Sequence, residues 1–169
     1  MKKCKKAVSI LLIAAMLVLM LSGCGGKSVA TENTGSSEYR VCMITDAGDI
    51  TDQSFNQTTY EACRDYCNEH NIDFTYKKPD GDTDYARTAM VDVAVAEGYN
   101  ILVMPGYVFA QTVVDTTFKY LDIKFIVLDM SAGDIGAAAV GNAYYDDPDA
   151  YNVADYYNTE NTYLAIYQE

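Results

Sequence analysis

The residues best suited to chemistry lie in Thr45–Gln57 (TDAGDITDQSFNQ), with Gly106, Tyr107 and Asp129 further along the chain. Carboxylates at Asp46, Asp49 and Asp129 can accept paired hydrogen bonds from vicinal hydroxyls. The Asn56 amide both donates and accepts, and the Phe55 ring can stack on a flat heterocycle. Hydroxyls plus a flat polar ring describe a nucleoside. A phosphate would meet these carboxylates with no lysine or arginine in the same loops, so the uncharged nucleoside fits better than the nucleotide. The same residues also have plainer readings. Asp46 and Asp49 serve as turn formers around Gly48, Phe55 as a hydrophobic contact at a helix start, Asn56 as a solvated first-turn residue and Asp129 as an ordinary loop residue.

The elements that must hold these residues follow from periodicity. Apolar runs over Tyr39–Thr45, Ile72–Lys77, Ile101–Met104 and Lys124–Leu128 read as strands, and three of them (VCMI, ILVM, FIVL) are apolar without alternation, as strands covered on both faces are. Between them lie predicted helices. One runs from Ser54 to about His70 with Ser54 and Gln57 forming a capping box, one over Asp84–Glu97 and one over Phe109–Tyr120. In the second, Tyr85, Ala86, Ala89, Met90, Val93 and Ala94 make one apolar face. The stretch Met130–Tyr151 looks irregular, a fifth strand is expected within Asn152–Tyr157, and Thr159 is expected to open a last helix that the chain's end cuts off. Strands alternating with helices imply a doubly wound α/β domain of about five parallel strands. In such sheets ligands bind beyond the carboxyl ends of the strands, where Asp46, Tyr107 and Asp129 fall.

Half of the 169 residues are apolar, enough for one domain with a real core. Twelve Lys and Arg face 24 Asp and Glu. Four of the lysines sit in the first six residues, so the chain from Cys24 onward has 8 basic against 24 acidic residues, a net of −16. A chain so acidic does not bind nucleic acid through phosphate neutralisation. Lys2–Lys6 form a positive cluster, Ile10–Leu21 an apolar stretch, and Leu21-Ser22-Gly23-Cys24 closes it. Twelve residues rise about 18 Å as a helix, short of the roughly 30 Å hydrocarbon core, so the segment reads as a leader over residues 1–23. Its last four residues resemble the bacterial lipobox. That resemblance implies cleavage before Cys24 and a lipid-anchored, extracytoplasmic protein at the cell membrane. Gly25–Glu38 is rich in Gly, Ser and Thr and reads as a flexible tether reaching about 20 Å, so residues 24–38 form anchor and tether and residues 39–169 the domain.

TDAGDITDQSFNQ after a strand, followed in order by Gly106-Tyr107, KFIVLD ending at Asp129, Asn152-Val153 and Tyr163-Leu164-Ala165, resembles the basic membrane protein (Bmp) family, PnrA-like lipoproteins that bind purine nucleosides for ABC transporters. The likeness covers most of Tyr39–Ala165. It implies the N-terminal lobe of a type 1 periplasmic-binding fold, with a purine nucleoside as ligand and an ABC permease as partner. By position, Phe55 would stack on the base, Asn56 would bond its edge, Asp46 and Asp129 would supply polar contacts, and Tyr107 would wall the cleft. The family has a second lobe of similar size, so this chain is expected to be an incomplete lobe whose binding by itself is weak.

No cofactor, catalytic residue or metal site is expected. Cys63, Cys67 and His70 share a helix at spacings able to hold a metal, yet the thiols fit a buried helix face better. Asp80-Gly81-Asp82-Thr83-Asp84 lacks the later Gly and Glu of a calcium loop. An enzyme of flavodoxin-like architecture is disfavoured, because there is no nucleophile elbow or dinucleotide glycine fingerprint and only His70 as a neutral-pH base. A receptor for another small polar ligand such as a sugar, or a non-functional fragment, remain the other readings.

Overall fold

The computed structural model describes residues 38–140 and 157–166. Five strands, β1 (Arg40–Ile44), β2 (Asp73–Lys77), β3 (Ile101–Pro105), β4 (Lys124–Leu128) and β5 (Thr162–Ala165), form one sheet in the order β2-β1-β3-β4-β5. Every neighbouring pair is parallel. The helices are α1 (Phe55–His70), α2 (Asp84–Ala96), α3 (Ala110–Thr116, entered through a 3-10 turn at Tyr107–Phe109) and α4 (Ala132–Val140). The doubly wound parallel α/β sheet expected from the sequence is therefore observed.

Successive strand residues alternate between two cores. Cys42 and Ile44 of β1 join Leu102, Met104, Phe125 and Val127 under α2, α3 and α4, with Val91, Phe109, Val113 and Ile135 filling that side. Val41 and Met43 face the other way with Val103, against Cys67 of α1. Three helices thus cover one face and α1 the other. Cys63 and Cys67 pack toward the sheet, whereas the His70 ring stacks on Tyr66 at 4.1 Å, so the three do not converge.

Several local expectations are corrected. Ser54 stands at the helix N-cap but its hydroxyl caps nothing, and Gln57 Oε1 accepts instead from the Gln53 N–H at 3.0 Å. Asp52 takes over the cap. Helix α2 buries Arg87, Val91 and Ala94; of the expected face Ala94 is buried and Met90 packs on the core, but Tyr85 is 84% exposed and Val93 is exposed too. Its sequence is apolar nearly all the way round, so periodicity alone does not fix the buried side. Arg87 lies in the covered face because Asp82 and Asp84 hold its guanidinium at 2.7 and 2.9 Å, and Phe109 lies beneath it. The predicted long third helix is a 3-10 turn followed by α3, which stops at Thr116.

The irregular stretch after β4 contains α4, started by a reciprocal cap. Asp134 Oδ2 accepts from the Ser131 N–H and hydroxyl, both at 2.7 Å, and Ser131 Oγ accepts from the Asp134 N–H. The fifth strand is Thr162–Ala165, where a helix was expected. Buried Asn161 fixes its start by donating to the carbonyls of Thr117 and Tyr120, both at 3.1 Å, and its own carbonyl accepts from the Phe125 N–H. Asn152–Tyr156 lies outside the described residues, as do the leader, Cys24 and the tether up to Ser37.

Candidate functional site

In a sheet of order 2-1-3-4-5 the chain leaves β1 and β3 toward opposite faces, which opens a crevice beyond their carboxyl ends. The register shows which residues reach it. Met43 pairs with Val103 and Pro105 with Leu128, so Asp46, two residues past β1, stands level with Gly106 and Asp129, one residue past β3 and β4. Two strand spacings put the first and last about 10 Å apart, the span of a small ring system. Gly106 has φ 111°, which only glycine adopts without strain, and this lets the chain turn off β3 to place the 66%-exposed Tyr107 at the rim. Asp129 is exposed and itself left-handed, with φ 54°.

The loop after β1 is tied to the start of α1. Asn56 Nδ2 donates to Asp46 Oδ1 at 2.8 Å and to Asp52 Oδ2 at 3.1 Å. Asp46 Oδ1 also accepts from the Gly48 N–H, a short Asx turn. Asp52 Oδ1 accepts from the N–H groups of Ser54 (2.8 Å) and Gln57 (3.2 Å), which meets donors the helix start leaves open. Desolvation pushes the Asp52 carboxyl up, but the bonds from Ser54, Asn56 and Gln57 together outweigh it and hold the group below the ordinary carboxylate range. Asn56 is 4% exposed and its Oδ1 is enclosed without a hydrogen-bond partner among the described residues. Phe55, one residue earlier, is 39% exposed.

The structure thus joins Asp46 and Asn56 directly, sets Phe55 beside them on the same helix turn, and places Tyr107 and Asp129 on the neighbouring strand tips. Asn56 is not the solvated first-turn residue of the plainer reading, because its side chain is a buried strut. Both its amide hydrogens are taken, which leaves one acceptor for anything else. The sequence reading does not single out Asp52, although an Asp that bonds the backbone N–H two residues on is a recognisable turn signal before a helix. One further correction concerns charge. Lys78, just past β2, brings its ammonium to 3.4 Å from Asp49, so the tip loops are not without a cation.

Chemically, the tips offer a half-exposed aromatic face, carboxylate oxygens at Asp46 and Asp129, and backbone groups at the glycine turns. They suit a neutral or cationic ligand with hydroxyl or N–H donors. An apolar groove of about 590 Å³ lies elsewhere, between α1 and the sheet, lined by Tyr39, Cys63, Tyr66, Ile101 and Ile126. It lacks the polar groups such a ligand needs.

Residues 39–165 match the family model described as ABC transporter substrate-binding protein PnrA-like. An uncharacterized lipoprotein of Pyrococcus abyssi is 27% identical over 135 residues, covering 80% of this chain and 32% of its own length. The ABC transporter nucleoside-binding protein BmpA of Lactococcus lactis subsp. cremoris is 24% identical over 130 residues, 74% of this chain and 36% of its own. The chain spans about a third of the length of these curated relatives. Among solved structures, ABC transporter system solute-binding proteins from Aeropyrum pernix K1 align with a TM-score of 0.50 at 20% identity, over 55% of this chain and 25% of that one, a likeness of fold.

Proposed function

The chain belongs to the PnrA-like family of ABC transporter substrate-binding proteins, and on that premise we propose that its strand tips receive a purine nucleoside destined for an ABC permease. The observation that carries this reading is the tie between Asp46 and Asn56. It fixes the start of α1, where the partly exposed Phe55 precedes Asn56, against the tip of β1, with a second carboxylate, Asp129, level with Asp46 two strands away. Phe55 stacks on the base, Asp46 and Asp129 take hydroxyl or N–H donors, and Tyr107 closes the rim. The name of the Lactococcus relative points the same way.

Residues 1–23 are a leader, Cys24 is the lipidated mature N-terminus, and residues 24–38 tether the lobe to the extracytoplasmic side of the cell membrane. Titration calorimetry with adenosine, guanosine and ribose tests the ligand. Saturable binding of either nucleoside, not displaced by excess ribose, supports the proposal. Binding of ribose alone replaces it with a sugar receptor, and hydrolysis of inosine would make the protein an enzyme. Incorporation of labelled palmitate that a Cys24→Ala substitution abolishes tests the anchor.

A further inference from the structure

Asp52 uses its two oxygens differently. Oδ1 caps α1 by accepting from the Ser54 and Gln57 N–H groups, and Oδ2 accepts from Asn56 Nδ2 at 3.1 Å. The same Nδ2 donates to Asp46 Oδ1 at 2.8 Å. A primary amide has two donor hydrogens, and here two carboxylates occupy both. Turning the amide over would aim Asn56 Oδ1 at two carboxylate oxygens and leave three acceptors facing one another, so one orientation is fixed. What remains is Asn56 Oδ1, enclosed and without a partner. An amide oxygen held that way forgoes a hydrogen bond that an arriving donor restores.

We infer that Asp52 is a positioning residue that, together with Asp46, locks the Asn56 amide so that it meets a bound molecule only as a hydrogen-bond acceptor. The inference rests on the nucleoside reading above and narrows it. The base edge reaching Asn56 must carry an N–H, as the amino group of adenine or the N1–H of guanine and hypoxanthine does. An edge with only ring-nitrogen acceptors meets the oxygen unfavourably. Oδ1 is covered in the ligand-free lobe, so its cover yields as the donor seats while Asp46 and Asp52 keep their hold on Nδ2.

The test compares adenosine with purine riboside, which lacks the 6-amino group, on the full chain and on two variants. Asp52→Ala removes both the cap and the amide contact. Asp52→Ser keeps a hydroxyl able to cap the helix but too short to reach Asn56. The unsubstituted protein is expected to bind adenosine about tenfold or more tighter than purine riboside. In both variants that ratio falls toward one, and Asp52→Ser melts near the parent temperature. NMR reads the lock without ligand. The two Asn56 side-chain amide protons exchange slowly in the parent and one of them exchanges faster in Asp52→Ser. A variant that weakens both ligands equally and keeps the ratio would make Asp52 a cap alone and overturn the inference. So would a parent that does not distinguish the two ligands, or amide exchange unchanged in Asp52→Ser; either leaves the nucleoside reading intact. No binding of any nucleoside overturns both.

Discussion

Gly48 lies so close to Asn56 that a Cβ at position 48 would fall 2.5 Å from Asn56 Nδ2 and 2.8 Å from Asp46 Oδ1. The glycine is required by this approach and not by a left-handed backbone. Gly48→Ala is expected to push the loop off α1, breaking the Asp46–Asn56 bond, with a stability loss of about 1–3 kcal/mol. Urea denaturation measures the loss, and a variant as stable as the parent with unchanged Asn56 amide exchange would refute it.

Phe55 is half-exposed at the site and contributes little to the core. Phe55→Ala is expected to lower nucleoside affinity about tenfold or more, since stacking of a base on an aromatic ring is worth about 1–3 kcal/mol. Its unfolding free energy should stay within about 0.5 kcal/mol of the parent. Calorimetry and denaturation together separate the two effects, and a parallel fall in both would mean Phe55 is structural.

Arg87 is 6% exposed, yet its partners Asp82 and Asp84 are largely in water. Removing the guanidinium therefore leaves carboxylates that rehydrate at little cost. Arg87→Met, which keeps an apolar stem over Phe109, is expected to retain stability within about 1 kcal/mol, whereas Arg87→Ala opens a cavity and loses about 2 kcal/mol or more. Equal losses in the two variants would point to the ion pairs as the main contribution.

Acid is expected to weaken the fold through depressed carboxyls. Desolvation pushes Asp92 up, but Lys119 Nζ at 2.9 Å from both of its oxygens and the Tyr120 hydroxyl at 2.7 Å outweigh that and hold it below the usual range. The bonds from Ser131 do the same for Asp134. A carboxyl depressed in the folded state stabilises it fully above the unfolded pKa of about 3.9 and loses that contribution as pH falls through the folded value. Unfolding free energy should be nearly flat between about pH 5 and 7 and drop below about pH 4. Asp92→Asn should show a shallower drop; an unchanged acid slope would remove Asp92 from the account.

Burial pushes the Cys42 thiol up to about 12 and the Cys63 thiol up to about 11, so neither forms appreciable thiolate near neutral pH. Iodoacetamide at pH 8, read residue by residue by mass spectrometry, should leave Cys42 unmodified in the folded protein and label it promptly in denaturant. Prompt labelling of Cys42 without denaturant would show that β1 opens locally.

Four of the five strands were legible in the sequence because VCMI, ILVM and FIVL are apolar on both faces and β2 is bounded by Pro79 and Gly81. The fifth was not, because it depends on a tertiary anchor. Asn161 reaches carbonyls some 40 residues away, and four residues of edge strand carry no periodicity of their own. Helix α4 could have been read from Ser131-x-x-Asp134, a capping pattern as plain as the one assigned to Ser54 and Gln57 that proved displaced to Asp52. At the site, the residue types near the strand tips were readable. That Asn56 is enclosed and has both donors taken was not, since it follows from a loop closing back on its own helix.

Asp46, Gly106 and Asp129 sit one or two residues beyond the strands, whereas the side chains that hold the sheet together sit within them. Gly106, Tyr107 and Asp129 thus lie outside the packed strands, while the loop from Asp46 to Asp52 also serves the start of α1. Substitutions at the exposed Tyr107 and Asp129 can therefore alter the surface at the strand tips while the packing of the sheet stays as it is.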